Sequence, residues 1–249
     1  PEAAQRLRQA FGFEGYTDDE VRRARAAYYG LITYMDNKIG KLMDALEEQG
    51  LAENTVIIYT SDHGESLGEH GLWRKMNFYE HSARVPLQIS WPGVISGGQH
   101  FDGATSLVDV TATILDVAGV SGRDLEHLRL DGDSLLPLMR GVTSKWKDEA
   151  FTEHLAHGTD RARAMVRKGN WKLCYSHGNP PDLELYDLSA DPGEFNNLAG
   201  SPKHRDVQEQ LIARIMEHWG DPGKLTQDIE LGQESRLMIR DVLGEGAIF

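Results

Sequence analysis

The sequence predicts an α/β fold: a layered sheet sandwiched by helices, followed by a small antiparallel β-sheet with its own helix. Three observations point there. Val56-Ile57-Ile58-Tyr59 is a β-branched and aromatic run between polar turns, which suits a strand buried on both faces of a parallel sheet. A long amphipathic stretch precedes it, so helix, short loop and strand make half of a βαβ unit. From Arg163 onward, three short alternating runs separated by turn residues read as an antiparallel meander.

Taken in order, Pro1 to Phe13 is short and helical in composition. Thr17-Asp18-Asp19-Glu20 is a helix start, with Thr17 as cap and Glu20 at the capping-box position. From Val21 through Tyr28, Leu31, Ile32, Met35, Ile39, Leu42 and Leu46, apolar residues recur at three- and four-residue spacing and form one stripe. Gly50 ends that helix. After the Val56 run, Val85 to Trp91 is a second β-like run. A glycine-rich polar loop, 96–103, leads to a helix capped by Ser106 or Asp109 and ended by Gly119. Residues 121–133 read as irregular, 134–139 as a short helix stopping at Gly141, and 149–155 as a strand. The meander runs are Ala164 to Arg167, Trp171 to Tyr175 and Leu183 to Asp187. Asp191-Pro192-Gly193-Glu194 is a turn, Pro202 to Trp219 an amphipathic helix, and Ser235 to Leu243 helical. The expected division is 1–160 for the main domain and 161–249 for the meander, helix and tail.

The 249 residues suffice for one large α/β domain or a domain and a half. A net charge of −13 argues against a nucleic-acid surface, which needs clustered Lys and Arg. No apolar run is long enough to span a membrane. The single cysteine, Cys174, excludes an intrachain disulfide and is compatible with a reducing cytoplasm. Lying on a predicted meander strand, it reads as a small buried apolar residue. The charged, helical opening at Pro1 reads as the middle of a longer protein.

The chemistry concentrates in segment 56–92. The Val56 run ends at Thr60-Ser61-Asp62-His63-Gly64, and the C-terminal edge of strands is where open α/β sheets bind ligands. Asp62 and His63 offer a carboxylate and an imidazole, a donor pair that suits a divalent metal. The alternative is that Asp62 caps the next turn and His63 is a surface residue. Lys75 is either a solvated loop lysine or a cationic clamp on a tetrahedral oxyanion.

The string SDHGESLGEHGLWRKMNFYEHSARVPLQISWPG resembles the C-terminal metal-binding segment of sulfatases in the alkaline phosphatase superfamily, most of all the choline-sulfatase branch. Tyr28 to Asp36, Leu107 to Asp116 with Gly132 to Leu135, and Glu184 to Glu194 with Asn197-Leu198-Ala199 are similar to family segments on either side. The resemblance implies an alkaline-phosphatase-like sheet and a sulfuric ester hydrolase acting on a small sulfate ester. It makes Asp62 and His63 ligands of a divalent metal, calcium as a rule, with manganese or magnesium as alternatives. It places Lys75 on the sulfate oxygens and Glu153 against a quaternary ammonium, although Glu153 also reads as an ordinary strand-end carboxylate. His70 and His81 are expected to be structural or to support the metal ligands from behind, and Arg84 to be an ion-pair partner.

The resemblance also implies a formylglycine, made from cysteine in Cys-x-Pro-Ser-Arg, whose hydrate attacks sulfur. That motif and the paired N-terminal aspartates are absent here, so they are expected in a missing N-terminal part of the same domain. The chain alone is then expected to be inactive. A homo-oligomer is expected, in the cytoplasm or periplasm, with the cytoplasm favoured. A phosphonate or phosphodiester monoester hydrolase of the same superfamily would share Asp62, His63 and Lys75. A non-catalytic anion- or partner-binding domain is the reading from another class.

Overall fold

The computed structural model describes residues 2–12, 15–120, 127–156 and 159–244. The chain forms two compact units, Leu7–Lys147 and Pro1–Arg6 together with Asp148–Phe249. In chain order its helices and strands are α1 (Glu2–Phe11), α2 (Asp18–Glu48), β1 (Ile57–Thr60), β2 (Ser66–Leu67), β3 (Trp73–Arg74), α3 (Glu80–Ala83), β4 (Leu87–Ser90), α4 (Leu107–Val117), α5 (Leu136–Met139), β5 (Glu149–His154), β6 (Arg163–Lys168), β7 (Trp171–Ser176), β8 (Asp182–Asp187), α6 (Arg205–Trp219) and α7 (Pro222–Leu243). No helix is long and apolar enough to cross a membrane among the described residues.

The unit Leu7–Lys147 is built on α2. Thr17 Oγ1 accepts from the Glu20 N–H while the Glu20 carboxylate accepts from the Thr17 N–H, the reciprocal pairing expected of a capping box. Gly50, at φ +67, takes the left-handed position after the helix. The apolar stripe of α2 buries no residue: Leu31, Met35 and Leu42 are all more than half exposed.

The Val56 run does form a strand, but not the doubly buried parallel one expected. β1 pairs with β4 antiparallel, Ile58 opposite Ile89 and Thr60 opposite Leu87, in a sheet of two strands. Its residues are half-buried or exposed, because among the described residues it has a neighbour on one edge only. Further along, α4 is pinned to the segment that leads into α5 through Asp109, which is fully buried. Its carboxylate accepts from the N–H groups of Ser106 (2.7 Å) and Asp133 (2.9 Å) and from Lys147 Nζ (2.8 Å). Ser106 and Asp109 therefore share the cap that the sequence left open between them. Gly132 passes so close to the Val108 carbonyl that a Cβ there would collide with backbone. Residues 121–126, read as irregular, lie outside the described residues.

The other unit is a four-stranded antiparallel sheet in the order β5-β6-β7-β8, each strand paired over six residues. The three meander runs fall in β6, β7 and β8. The 149–155 strand, read as part of 1–160, is the edge strand β5 of this sheet and pairs with β6. One sheet face, with Ala164, Val166, Leu173, Tyr175 and Leu185, packs on Leu211 and Ile215 of α6. Fully burying an aliphatic side chain such as Leu173, Leu185 or Ile215 stabilises by roughly 1.5–3 kcal/mol, so this face is the main apolar anchor of the unit. The opposite face is polar yet buried. Lys172 Nζ lies 2.7 Å from Glu194 Oε1, with both side chains sequestered from solvent. Asp221 caps α7 by accepting from the Gly223 N–H, and Pro222 occupies the first turn, so the helix starts well before the expected Ser235.

Candidate active site

The end of β1 makes a tight polar turn. Ser61 Oγ donates to the His63 carbonyl (2.8 Å), and the Asp62 carboxylate accepts from the N–H of the next residue, His63 (2.9 Å). The turn brings two neighbouring side chains, which would point apart on a regular strand, to one side. Asp62 Oδ2 and His63 Nε2 are 3.4 Å apart. Gly64 is required next, since a Cβ there would strike the His81 carbonyl oxygen. Its N–H donates to the Ser82 carbonyl at 2.8 Å.

His63 Nδ1 lies 2.8 Å from the Gly64 carbonyl oxygen. A carbonyl only accepts, so Nδ1 carries the proton and Nε2 keeps its lone pair. Lys75 Nζ lies 2.7 Å from that nitrogen and donates to it. Three expected site residues, Asp62, His63 and Lys75, are thus brought together. Desolvation pushes the Asp62 carboxyl upward, but the bond from the His63 N–H and the nearby charge of Lys75 outweigh it. The group titrates below its ordinary range and is ionised near neutrality.

Lys75 is delivered by the β2–β3 hairpin, in which Ser66 faces Arg74 and Leu67 faces Trp73. The hairpin is unusually constrained: Gly68, His70 and Gly71 in its loop and Arg74 at its end all have positive φ. For His70 and Arg74, which carry a Cβ, that conformation persists only where the surroundings impose it. The surroundings are specific. Arg25 of α2 donates to the Leu67 carbonyl and the Glu69 carboxylate, each at 2.8 Å. His70 stacks on Tyr79 with ring centroids 4.0 Å apart, in keeping with the structural role expected of it. Asn77 Nδ2 donates to Ser66 Oγ (2.9 Å), and the Lys75 carbonyl accepts from Ser82 Oγ (2.6 Å) and the Asn77 N–H (2.8 Å).

The donor set fits part of a cation shell. An imidazole Nε2 lone pair beside an ionised carboxylate suits a divalent ion, and the bond from Nδ1–H to a backbone carbonyl is the partner that metal-bound histidines carry. A hard cation takes six or more ligands as a rule, and among the described residues no group of three or more His, Cys, Asp or Glu could close on an ion. Asp62 and His63 would hold one side of it.

Elsewhere, Glu153 on the edge strand β5 accepts from Trp219 Nε1 at 2.9 Å within its own unit. Arg84 is exposed and makes no ion pair among the described residues, contrary to the expected pairing; it caps the C-terminus of α3 through its backbone N–H instead. Burial pushes the Cys174 thiol far above its ordinary range, which leaves it an inert apolar filler. Sequence reasoning passed over Ser66, Asn77 and Ser82, which are buried polar residues that fix the lysine loop. Small polar residues within a few positions of the apolar Leu72, Phe78 and Tyr79 were the available signal.

Comparison with known proteins places this geometry. The Sulfatase family model matches residues 1–120, and the model of the N-sulphoglucosamine sulphohydrolase C-terminal region matches residues 68–220. The chain is 39% identical to a choline-sulfatase of Rhizobium meliloti (strain 1021) over 99% of its own length and 48% of that protein. It is 38% identical to arylsulfatase K of Rattus norvegicus over 74% of the chain and 33% of the relative. It thus spans half or less of the length of these curated relatives. Among solved structures, the phosphonate monoester hydrolase of Agrobacterium radiobacter superposes with a TM-score of 0.69 at 30% identity, covering 81% of this chain and 42% of that one. A protein solved with its substrate D-glucosamine-2-N,6-O-disulfate gives a TM-score of 0.73 at 28% identity, covering 90% of this chain and 46% of that one. With the N-sulphoglucosamine sulphohydrolase C-terminal model matched over more than half of the chain, the Sulfatase model matched over residues 1–120, and Asp62, His63 and Lys75 gathered at one strand end, the chain belongs to the sulfatase family.

Proposed function

We propose that this chain supplies the metal-and-lysine part of the active site of a sulfuric ester hydrolase whose substrate is a small sulfate ester of the choline sulfate kind. The observation that carries the reading is the convergence of Asp62 Oδ2, His63 Nε2 and Lys75 Nζ at the end of β1. The nucleophile, a formylglycine, is assigned to a part of the protein outside this chain.

The chain's own residues then act as follows. Asp62 stays ionised near neutrality and contributes negative charge toward a cation. His63, held by the Gly64 carbonyl, presents a fixed lone pair on the same side. Lys75 is the mobile charge. Its flexible stem lets the ammonium leave His63 for the oxygens of a sulfuryl group, where it would balance charge that builds up as the ester bond breaks. A bound divalent metal would supply Lewis-acid polarisation of those oxygens. Calcium is the ion proposed. Manganese, which like calcium suits carboxylate and water ligands, is the exchange to test first.

Glu153 is proposed as the group that meets a quaternary ammonium. Its support is an exposed carboxylate steadied by the Trp219 indole, whose ring face also attracts cations. The second reading, a phosphonate monoester hydrolase, is favoured by the 30% identity to the Agrobacterium radiobacter enzyme and would use the same three residues on another tetrahedral oxyanion. Measuring kcat/KM of the full-length protein on choline sulfate, an aryl sulfate and a phosphonate monoester separates the readings. The sulfates are expected to lead. A lead for the phosphonate overturns the choice, and no turnover of any ester leaves a non-catalytic binding domain.

A further inference from the structure

Ser82 touches both halves of the site. Its backbone carbonyl accepts from the Gly64 N–H, next to His63, and its hydroxyl donates to the Lys75 carbonyl. It is 2% exposed and sits in α3, a single helical turn. That turn is itself anchored, since the Ser82 N–H donates to the Tyr79 carbonyl and the Tyr79 N–H donates to Asn77 Oδ1. Asn77 in turn bonds Ser66 at the base of the lysine hairpin. A hydroxyl this deeply buried would be unfavourable without a partner, and the partner it has is the carbonyl of the residue that bears the ammonium.

We propose that Ser82 is a positioning residue that sets the distance between the Asp62–His63 pair and Lys75, acting on the reaction only through Lys75. The inference rests on the proposed catalytic role of Lys75. The backbone bond to Gly64 survives any side-chain change at position 82. The hydroxyl bond does not, so substitution frees the lysine side of the site and leaves the metal side in place. Without that bond the Lys75 carbonyl keeps only the Asn77 N–H, and the start of the lysine side chain can shift by a fraction of an ångström. Displacement on the order of 1 Å in a positioned catalytic group can lower the rate about 100-fold.

The test is a double-mutant cycle in the full-length protein. Ser82→Ala is expected to lower kcat for sulfate hydrolysis roughly 10- to 100-fold with metal stoichiometry unchanged. In a Lys75→Ala background the same change is expected to lower the residual rate by less than about twofold, because the group it positions is gone. Ser82→Thr, which keeps the hydroxyl, is expected to recover part of the rate. Equal losses in both backgrounds would show a merely structural serine and overturn the inference, as would full activity of Ser82→Ala. If Ser82→Ala does not fold, Ser82→Cys keeps the volume with a weaker donor and enters the same cycle. Full activity of Lys75→Ala would instead overturn the catalytic reading itself. An inactive Lys75→Ala beside a fully active Ser82→Ala removes only the role of Ser82.

Discussion

The strand end that carries Asp62 and His63 and the four-stranded sheet that carries Cys174 are ordered by different means. The β5–β8 sheet has full six-residue registers and an apolar face closed by α6, with Val166, Leu173, Leu185 and Ile215 completely buried. Among the described residues β1 has one partner strand and no buried residue, and α2 before it buries none either. What fixes the site is instead a set of polar pins at Ser61, the Gly64 N–H, Arg25, Asn77 and Ser82, together with the left-handed residues Gly68, His70, Gly71 and Arg74. Non-directional apolar burial stabilises a shape, whereas hydrogen bonds of defined angle fix where a carboxylate, an imidazole and an ammonium point. Damage to the sheet should therefore appear as lost stability, and damage to the pins as lost ligand binding or rate.

The largest effects test that division directly. Asp62→Ala in the full-length protein is expected to lower metal affinity by more than about 100-fold, beyond what loss of an outer-shell partner produces, with little change in melting temperature. Retention of stoichiometric metal, read by elemental analysis after dialysis, would break the site assignment. On the sheet side, Glu194→Ala removes the carboxylate 2.7 Å from the buried Lys172 ammonium and is expected to destabilise by about 3–5 kcal/mol. Urea titration followed by tryptophan fluorescence measures it. A loss under about 1 kcal/mol would mean that water reaches the pair as it would on a surface.

A middle-sized effect concerns Lys147. Burial lowers its pKa, but bonds to Asp109 and Asp133 outweigh this and raise it above the ordinary lysine value of 10.5. A raised folded-state value means that the stabilisation is complete below pH 10.5 and is lost as pH climbs through the folded value above it. Lys147→Met should cost about 1–3 kcal/mol near neutrality, because the buried Asp109 carboxylate keeps only backbone donors. It should also flatten the alkaline limb of stability against pH. An unchanged alkaline limb would assign that dependence to other groups.

These features differ in how far the sequence disclosed them. The Thr17–Glu20 box, the glycine stops, the meander and the inert Cys174 were legible, because each depends on local chemistry within a few residues. So was the clustering of Asp62, His63 and Lys75, through resemblance to a family string. Strand direction was not legible: a β-branched run reports a propensity for pleated structure, and only the partner decides orientation, so β1 was read as parallel and buried. The Lys172–Glu194 pair escaped because Asp191-Pro192-Gly193-Glu194 has the composition of a solvated turn, and nothing local signals that its last carboxylate turns inward. The Asp109 hub escaped for a similar reason. An N-terminal helix acid reads as a cap, while its other partners, Asp133 and Lys147, lie 24 and 38 residues away.

The smallest predicted effect bears on α2, where the sequence stripe and the structure diverge most. Its apolar positions keep a clean helical period, yet Leu31 is 65% exposed and Leu42 61%. A period of this kind reports selection for a covered face, but in this chain the face is open and contributes little to stability. Leu31→Ala in the 249-residue chain should therefore change unfolding free energy by no more than about 0.5 kcal/mol, the range of surface substitutions, against roughly 2–5 kcal/mol for Leu185→Ala in the sheet core. Alanine is also the better helix former, which pushes the small residual effect toward stabilisation. If Leu31→Ala instead costs as much as Leu185→Ala, the stripe is packed in solution. The contrast between a polar-pinned site and an apolar-packed sheet would then have to be redrawn around a second core built on α2.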